Sequence, residues 1–343
     1  MSAPPSVWVL GATGYAGVEA VRLLRGHPRF RLDRVCASPG SPERDLGEIE
    51  PALATCSLRA RPFETSLLED PPQAAVLALP DEAAAALVPA FLDRGARVVD
   101  LSGAFRLRER SHYPRYCGFE HPRPRLLDSA VYGLTEQMRE TIRDAALIAN
   151  PGCYPTAALL ALLPLESSGL LDPESTVVVD AKSGVTGVGR RLEAAYLFAE
   201  VNENLRPYHP LHHRHVPEIL QALGFGEGRD LLFVPHLLPV ARGLLATVYV
   251  RLRHGVGAAD FAGAYAGTYG RSPFVRLLGE GRWPELRGVA RTNRCDIGWV
   301  VDPGRRAAVV FAAIDNLLKG AAGQAVQNLN LMFGRPEEEG LPA

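Results

Sequence analysis

Cysteine is scarce in this chain and nowhere patterned. Cys36, Cys56, Cys117, Cys153 and Cys295 are odd in number, widely scattered and free of CxxC spacing. That excludes a disulfide framework and a zinc ribbon, and fits the reduced thiols of a cytoplasmic protein. No sign of charge dominates: 37 Lys and Arg stand against 38 Asp and Glu, a formal net charge of -1. Neither nucleic acid nor an anionic membrane is therefore expected as a partner. Long apolar runs are missing too, each being cut by proline, glycine or charge, so no transmembrane span is expected. The first residues lack the basic and apolar regions of a secretory signal. No internal repeat or low-complexity linker interrupts the 343 residues, which suffice for two domains with full cores.

What is present starts with Asn150-Pro151-Gly152-Cys153-Tyr154-Pro155-Thr156, which sets one cysteine at the start of the apolar run Ala157 to Leu163. The amide N–H groups and dipole of a helix N-terminus stabilise an anion. A thiol placed there gives up its proton more readily than an ordinary cysteine, and the thiolate is the nucleophile.

The N-terminal half alternates strands and helices. Ser6 to Leu10 reads as a buried strand, Gly11-Ala12-Thr13-Gly14-Tyr15-Ala16-Gly17 as the turn after it, and Val18 to Leu24 as a helix. The spacing is GxxGxxG. Directly after a first strand, such glycines let a backbone approach a pyrophosphate seated on the helix N-terminus, and this role is favoured over a plain connection. The second strand, Leu32 to Ala37, ends at Ser38 with no acid for a ribose 2′-hydroxyl, and Arg44 follows. That leaves room for a 2′-phosphate and favours NADP over NAD. Ala74 to Leu79 and Ala96 to Leu101 read as further parallel strands around a helix Asp81 to Leu92. Asp100 to Arg106 then lies at a strand C-terminus, where Arg106 is a candidate phosphate ligand.

The second half has a different pattern. Thr176 to Ala181 reads as a strand followed by a glycine-rich loop, Lys182 to Gly189; Phe233 to Val240 and Leu244 to Leu252 read as long strands. Ala259 to Tyr269 and an amphipathic Asp315 to Leu331 read as helices. The fold class is α/β: a doubly wound Rossmann-type nucleotide domain, 1–150 completed by a terminal helix 315–335, and an α+β domain 151–314 with a mixed or antiparallel sheet.

A thiolate mechanism needs a proton partner. Four of the nine histidines crowd into residues 209–215. His213 and His215 point the same way if the segment is extended, and Glu218 is placed to orient one of them. Spacing does not choose between the two. Metal ligation is not expected, because no carboxylate or cysteine spacing completes a zinc set.

The glycine motif, Asp100-Leu101-Ser102-Gly103-Ala104-Phe105-Arg106-Leu107, the cysteine motif, Lys182 to Gly189, His213 to Glu218 and Ala313-Ile314-Asp315-Asn316-Leu317-Leu318-Lys319-Gly320 occur in this order. Together they resemble the N-acetyl-gamma-glutamyl-phosphate reductases of arginine biosynthesis, relatives of aspartate-semialdehyde dehydrogenase. The resemblance spans nearly the whole chain. It departs at Gly103-Ala104, where the family often has Ala-Asp, and at the proline-rich loop around Ser38. Retention of Asn150-Pro151 and Tyr154-Pro155 around the cysteine favours the arginine route over the related aminoadipate route to lysine. The resemblance implies an acyl-phosphate substrate, a Cys153 thioester, His215 or His213 as acid and base, and NADPH as reductant. It also implies Arg106 and Asn150 on the phosphate, and Ser183, Gly184 and Asn316 beside the nicotinamide. For Asn316 the residues alone suggest a helix cap instead. A homo-oligomer, dimer or tetramer, is expected, pairing through the large sheet. The alternatives are the same chemistry on N-acetyl-aminoadipyl phosphate or an aspartyl phosphate, and an NADP-binding regulator in which Cys153 is a structural thiol.

Overall fold

The computed structural model describes residues 3–38, 40–190, 192–225 and 230–343. Pro39, in the loop after Ser38, lies outside them. The chain divides into two compact units, Met1–Gly152 with Ala321–Leu341, and Cys153–Gly320 with Pro342–Ala343.

The first unit is built on β1 (Ser6–Leu10), β2 (Arg31–Ala37), β3 (Arg44–Asp45), β4 (Arg59–Pro62), β5 (Ala74–Leu77), β6 (Arg97–Asp100), β7 (Val131–Tyr132) and β8 (Leu147–Ala149). Their order in the sheet is β3-β4-β2-β1-β5-β6-β8-β7, all parallel except β3 against β4. The continuous apolar runs Val7–Leu10 and Ala74–Leu77 are fully buried, as a parallel sheet covered on both faces requires. Sequence order reverses between β1 and β5, so the turn after β1 opens at the switch point where doubly wound sheets take ligands.

That turn runs straight into the helix Tyr15–Arg25. The helix thus begins inside the glycine motif, three residues before the expected Val18, because Tyr15 and Ala16 already have helical backbone. Val18, Val21 and Leu24 recur at helical spacing and are buried, and Arg22 and Arg25 in the last turn suit the negative end of the dipole. The helix Asp81–Leu92 buries Ala84, Ala85, Val88 and Phe91, with Asp81 and Glu82 in its first turn. Phe91 meets the fully buried Trp8 edge-on at 6.2 Å, and burial of a ring this size contributes about 1.5–3 kcal/mol.

The terminal segment differs from its expected form. Asp315 and Asn316 precede a π-helical turn at Leu318–Ala322, and the regular helix is only Gly323–Met332. Every residue of that helix is buried, including Gln324, Gln327, Asn328 and Asn330. Gln327, Asn328 and Asn330, which read as a solvent face, instead hydrogen-bond inside the first unit.

The second unit carries β9 (Val177–Gly184), β10 (Arg206–Pro207), β11 (Leu231–Leu238), β12 (Leu244–Arg251), β13 (Val275–Glu280), β14 (Cys295–Asp302) and β15 (Ala307–Ile314). They form a mixed sheet in the order β10-β11-β9-β12-β15-β14-β13. The residues Lys182 to Gly184, read as loop, are the end of β9. They pair with β11, and Ser183 also faces Leu244 of β12, so the ladder extends past the apolar run. The helix Cys153–Ser167 packs on β12, β14 and β15, and the helix Ala258–Tyr269 packs on it in turn. Tyr265 and Tyr269 donate to the carbonyls of Ala161 and Leu160, at 2.5 and 2.9 Å. The alternate positions of the strands face away from these helices and leave Leu232, Tyr249 and Val300 exposed.

Candidate active site

Gly11 has φ +74, and a Cβ there would lie 2.1 Å from the Ala78 carbonyl oxygen; a Cβ on Gly17 would lie 2.1 Å from the Gly11 oxygen. The fold itself requires glycine at both positions. Gly14 differs. Its φ is -79, and a Cβ would meet only the Gly11 oxygen, at 3.5 Å. Among the described residues nothing excludes a side chain there. A bare Cα at the N-cap, offering no capping side chain to the first turn, suits a group that must approach the backbone from outside. A dinucleotide pyrophosphate fits that cradle, bounded by Gly11, Ala12, Thr13, Gly14, Tyr15, Ala16 and Gly17. Ser38 sits half-buried at the tip of β2, and Arg44 is exposed on β3.

Arg106, in the same unit, is buried. Its Nε donates to the Asn150 carbonyl at 2.8 Å and a terminal nitrogen to the Leu101 carbonyl at 2.7 Å. The preceding turn is held by Asp100, whose carboxylate accepts from the Ser102 hydroxyl (2.6 Å) and N–H (3.0 Å). Complete burial raises the Asp100 pKa to about 6 against the opposing bonds from Ser102. Asn150 does not fit the direct phosphate role expected of it. Its side chain is wholly buried, with Nδ2 donating to the Ala321 carbonyl and Oδ1 accepting from Asn328. It meets Arg106 through its carbonyl.

In the second unit Cys153 is the first residue of its helix and is partly exposed. Gly320, in the π-helical turn, lies against it so closely that a Cβ there would stand 2.7 Å from the Cys153 Cβ. π-Turns collect at functional sites, and this one brings a backbone flush with the thiol-bearing residue. Asp315 holds the start of the segment: Oδ1 accepts from the N–H groups of Leu317 (2.8 Å) and Leu318 (3.1 Å), and Oδ2 from that of Arg291 (2.7 Å). The cap expected at Asn316 therefore belongs to Asp315. Asn316 instead accepts from the Gly243 N–H and donates to the Thr186 hydroxyl. Ser183 is buried, with its hydroxyl on the Gly184 carbonyl, and a Cβ on Gly184 would meet the Val240 and Ala241 oxygens at 2.8 Å.

The histidine segment is not extended. His209 and Leu211 take left-handed backbone, and His215 is the N-cap of the helix Val216–Leu223. The turn nevertheless brings the rings of His213 and His215 to 4.6 Å, with Tyr154 at 5.7 Å from the first and 6.0 Å from the second. The two rings differ in environment. Tyr154, Tyr208 and Phe233 surround His213, and its Nδ1 accepts the His215 N–H at 3.2 Å. Burial, reinforced by Arg214 and His209, lowers the His213 pKa to about 3. His213 is neutral at pH 7. His215 is buried and stands at the N-cap position of the helix whose first turn contains the buried Glu218. Tyr154 donates to the His236 carbonyl (3.1 Å) and accepts from Tyr208 (3.0 Å), and burial raises both phenol pKa values. Neither tyrosine stood out in the sequence as part of a site. Their only signal was position, beside the cysteine and beside the histidines.

Comparison with known proteins identifies the lineage. The chain is 43% identical over 338 residues to N-acetyl-gamma-glutamyl-phosphate reductase of Pelotomaculum thermopropionicum, covering 98% of this chain and 97% of that protein. The enzyme of the same name from Geobacillus stearothermophilus is 43% identical over 341 residues, with the same coverage. The chain belongs to the N-acetyl-gamma-glutamyl-phosphate reductase family. The sequence also matches two wider family profiles: the semialdehyde dehydrogenase NAD binding domain at residues 6–145 and the semialdehyde dehydrogenase dimerisation domain at 153–316. In fold it is similar to aspartate semialdehyde dehydrogenase II of Vibrio cholerae, with a TM-score of 0.70 at 19% identity over 96% of this chain and 99% of the other. An aspartate semialdehyde dehydrogenase of Candida albicans solved with NADP gives 0.68 at 17% identity, over 96% and 99%. Both expectations, the reductase resemblance and the two-part α/β architecture, are borne out.

Proposed function

We propose that the chain catalyses NADPH-dependent reductive dephosphorylation of N-acetyl-gamma-glutamyl phosphate to N-acetyl-glutamate 5-semialdehyde and inorganic phosphate, in arginine biosynthesis. The observation that carries this reading is Cys153: a partly exposed thiol on the first residue of an apolar helix, with Gly320 against its Cβ and a histidine pair around the next residue. The helix N-terminus favours the thiolate. The thiolate attacks the acyl carbonyl, a C–S bond forms, the C–O bond to phosphorus breaks, and phosphate leaves. Arg106 is the cation assigned to that phosphate. When bound, NADPH supplies hydride to the thioester carbon. His215 protonates the resulting thiohemiacetal oxyanion and then takes the hydroxyl proton as the C–S bond breaks, which frees the semialdehyde and restores the thiolate. His215 holds this role rather than His213, because a histidine held near pKa 3 carries no proton at neutral pH. Glu218 orients it. Gly14 and its neighbours take the pyrophosphate, with Ser38 toward the adenosine ribose and Ser183, Gly184 and Asn316 toward the nicotinamide.

The exposed sheet face supports a homo-oligomer. Tyr249 at 43% exposure, Leu232 at 41% and Val300 at 38% stand on it beside half-buried Val178, Val234 and Val309. Apolar groups exposed on a sheet face in this way are covered at low cost by a second copy of the same face.

The reaction is tested by NADP reduction with N-acetyl-glutamate semialdehyde and phosphate, wild type beside Cys153→Ser. Phosphate-dependent turnover lost in the variant supports the thioester route. Turnover with N-acetyl-aminoadipate semialdehyde alone would transfer the activity to the longer acyl phosphate. Equal turnover in both proteins would overturn the mechanism.

A further inference from the structure

We propose that Asn328, on the buried terminal helix, is a positioning residue for the phosphate-binding Arg106, acting through Asn150. This rests on the role assigned to Arg106 above.

Asn328 is completely buried, and its amide is used at both ends. Oδ1 accepts from the Thr135 hydroxyl at 2.8 Å. Nδ2 donates to the Gly133 carbonyl at 2.8 Å and to the Asn150 Oδ1 at 3.1 Å. The approach is tight, since a Cβ on Gly133 would lie 2.6 Å from that nitrogen. Asn150 passes the constraint on. Its N–H donates to the Asp100 carbonyl at 2.8 Å, its Nδ2 to the Ala321 carbonyl at 3.3 Å, and its carbonyl receives Arg106 Nε at 2.8 Å. A planar guanidinium anchored at Nε has its direction fixed by where that carbonyl stands. The carbonyl is fixed in turn by the side chain of its own residue, locked from both sides.

A purely structural amide would serve as well with any partner that filled the space. A buried amide held by Thr135 and Gly133, with its remaining bond on Asn150, limits how far that residue, and Arg106 with it, can move. No charged group takes part in the Thr135–Asn328–Asn150 chain, so it holds position without altering the charge that Arg106 presents.

The experiment uses the full chain in the reverse reaction, NADP with N-acetyl-glutamate semialdehyde, varying inorganic phosphate. Three variants are compared: Asn328→Ala, the milder Thr135→Val that removes only one bond of the chain, and Phe91→Leu as a core-destabilised control. Misplacing a positioned group by about 1 Å costs up to about 100-fold. Asn328→Ala is expected to raise KM for phosphate by about tenfold or more with kcat within about threefold, and Thr135→Val to move KM the same way by less. Phosphate protection of the cofactor-free protein against thermal unfolding should weaken in parallel. Phe91→Leu should lower the melting temperature without changing KM for phosphate. An unchanged phosphate KM in Thr135→Val, or in a folded Asn328→Ala, overturns the proposal; so does an equal rise in Phe91→Leu. If wild type itself shows no phosphate-dependent turnover, the assignment of Arg106 fails and takes this proposal with it.

Discussion

Gly14 and Gly17 occur in the same motif, three residues apart, yet alanine should affect them in opposite ways. At Gly17 a Cβ would lie 2.1 Å from the Gly11 oxygen, 2.8 Å from its carbonyl carbon and 2.9 Å from the Ala12 Cα. All three are backbone atoms, so the helix must shift off the sheet, at about 1–3 kcal/mol. For a unit of this size that lowers the melting temperature by about 3–10 °C. At Gly14 the nearest atom is 3.5 Å away and φ is -79, which alanine adopts freely. Exchanging glycine for alanine at an N-cap costs under about 1 kcal/mol. The stiffer unfolded chain returns about 0.4–1 kcal/mol. Gly14→Ala should therefore unfold within about 3 °C of wild type. It should still bind NADP at least about tenfold more weakly, a loss of about 1.4 kcal/mol, since its methyl projects where a pyrophosphate must come. Thermal unfolding of the cofactor-free proteins and calorimetric titration with NADP read the two effects separately. Wild-type NADP affinity in Gly14→Ala, or unfolding as early as Gly17→Ala, would refute the cradle.

His215→Asn should lower kcat by about 10²–10⁴-fold while His213→Asn stays within about tenfold of wild type, as read from steady-state rates at pH 7. A pKa of about 3 in the folded state against 6.5 unfolded means that the unfolded chain binds the extra proton. His213 therefore costs stability as pH falls below about 6.5, by about 1.4 kcal/mol per unit down to its folded pKa. Urea unfolding at pH 7 and pH 5 should show this slope in wild type and a shallower one in His213→Phe. Gly320→Ala forces a Cβ to within 2.7 Å of the Cys153 Cβ and should cost about 100-fold in kcat, with NADP affinity retained.

Several elements were legible because local pattern and burial agree. Ser6–Leu10 and Asp81–Leu92 have the bounds that their apolar runs and flanking residues announce. The terminal helix misled for a physical reason. Gln324, Gln327, Asn328 and Asn330 look like a solvent face, but all are buried, and Gln327, Asn328 and Asn330 meet partners such as Glu136, Thr135 and Glu337 that come from elsewhere in the chain. A polar residue matched inside the fold and one facing water look alike in sequence. The Lys182–Gly184 segment misled in the opposite way. Small and polar residues suggested a loop, and pairing with neighbouring strands carried the ladder through it.

The chain order of residue types was enough to establish the glycine turn after a first strand, a cysteine at a helix start, and the reductase lineage. These follow from local backbone and helix-end chemistry, which act within a few residues. The low pKa of His213 was decided only by tertiary structure, because desolvation depends on what surrounds a ring. Tyr154, Tyr208 and Phe233 reach His213 from separate segments and bury it, and burial is the first cause of its low pKa. The same holds at Cys153, where the close approach of Gly320 joins residues far apart in the chain.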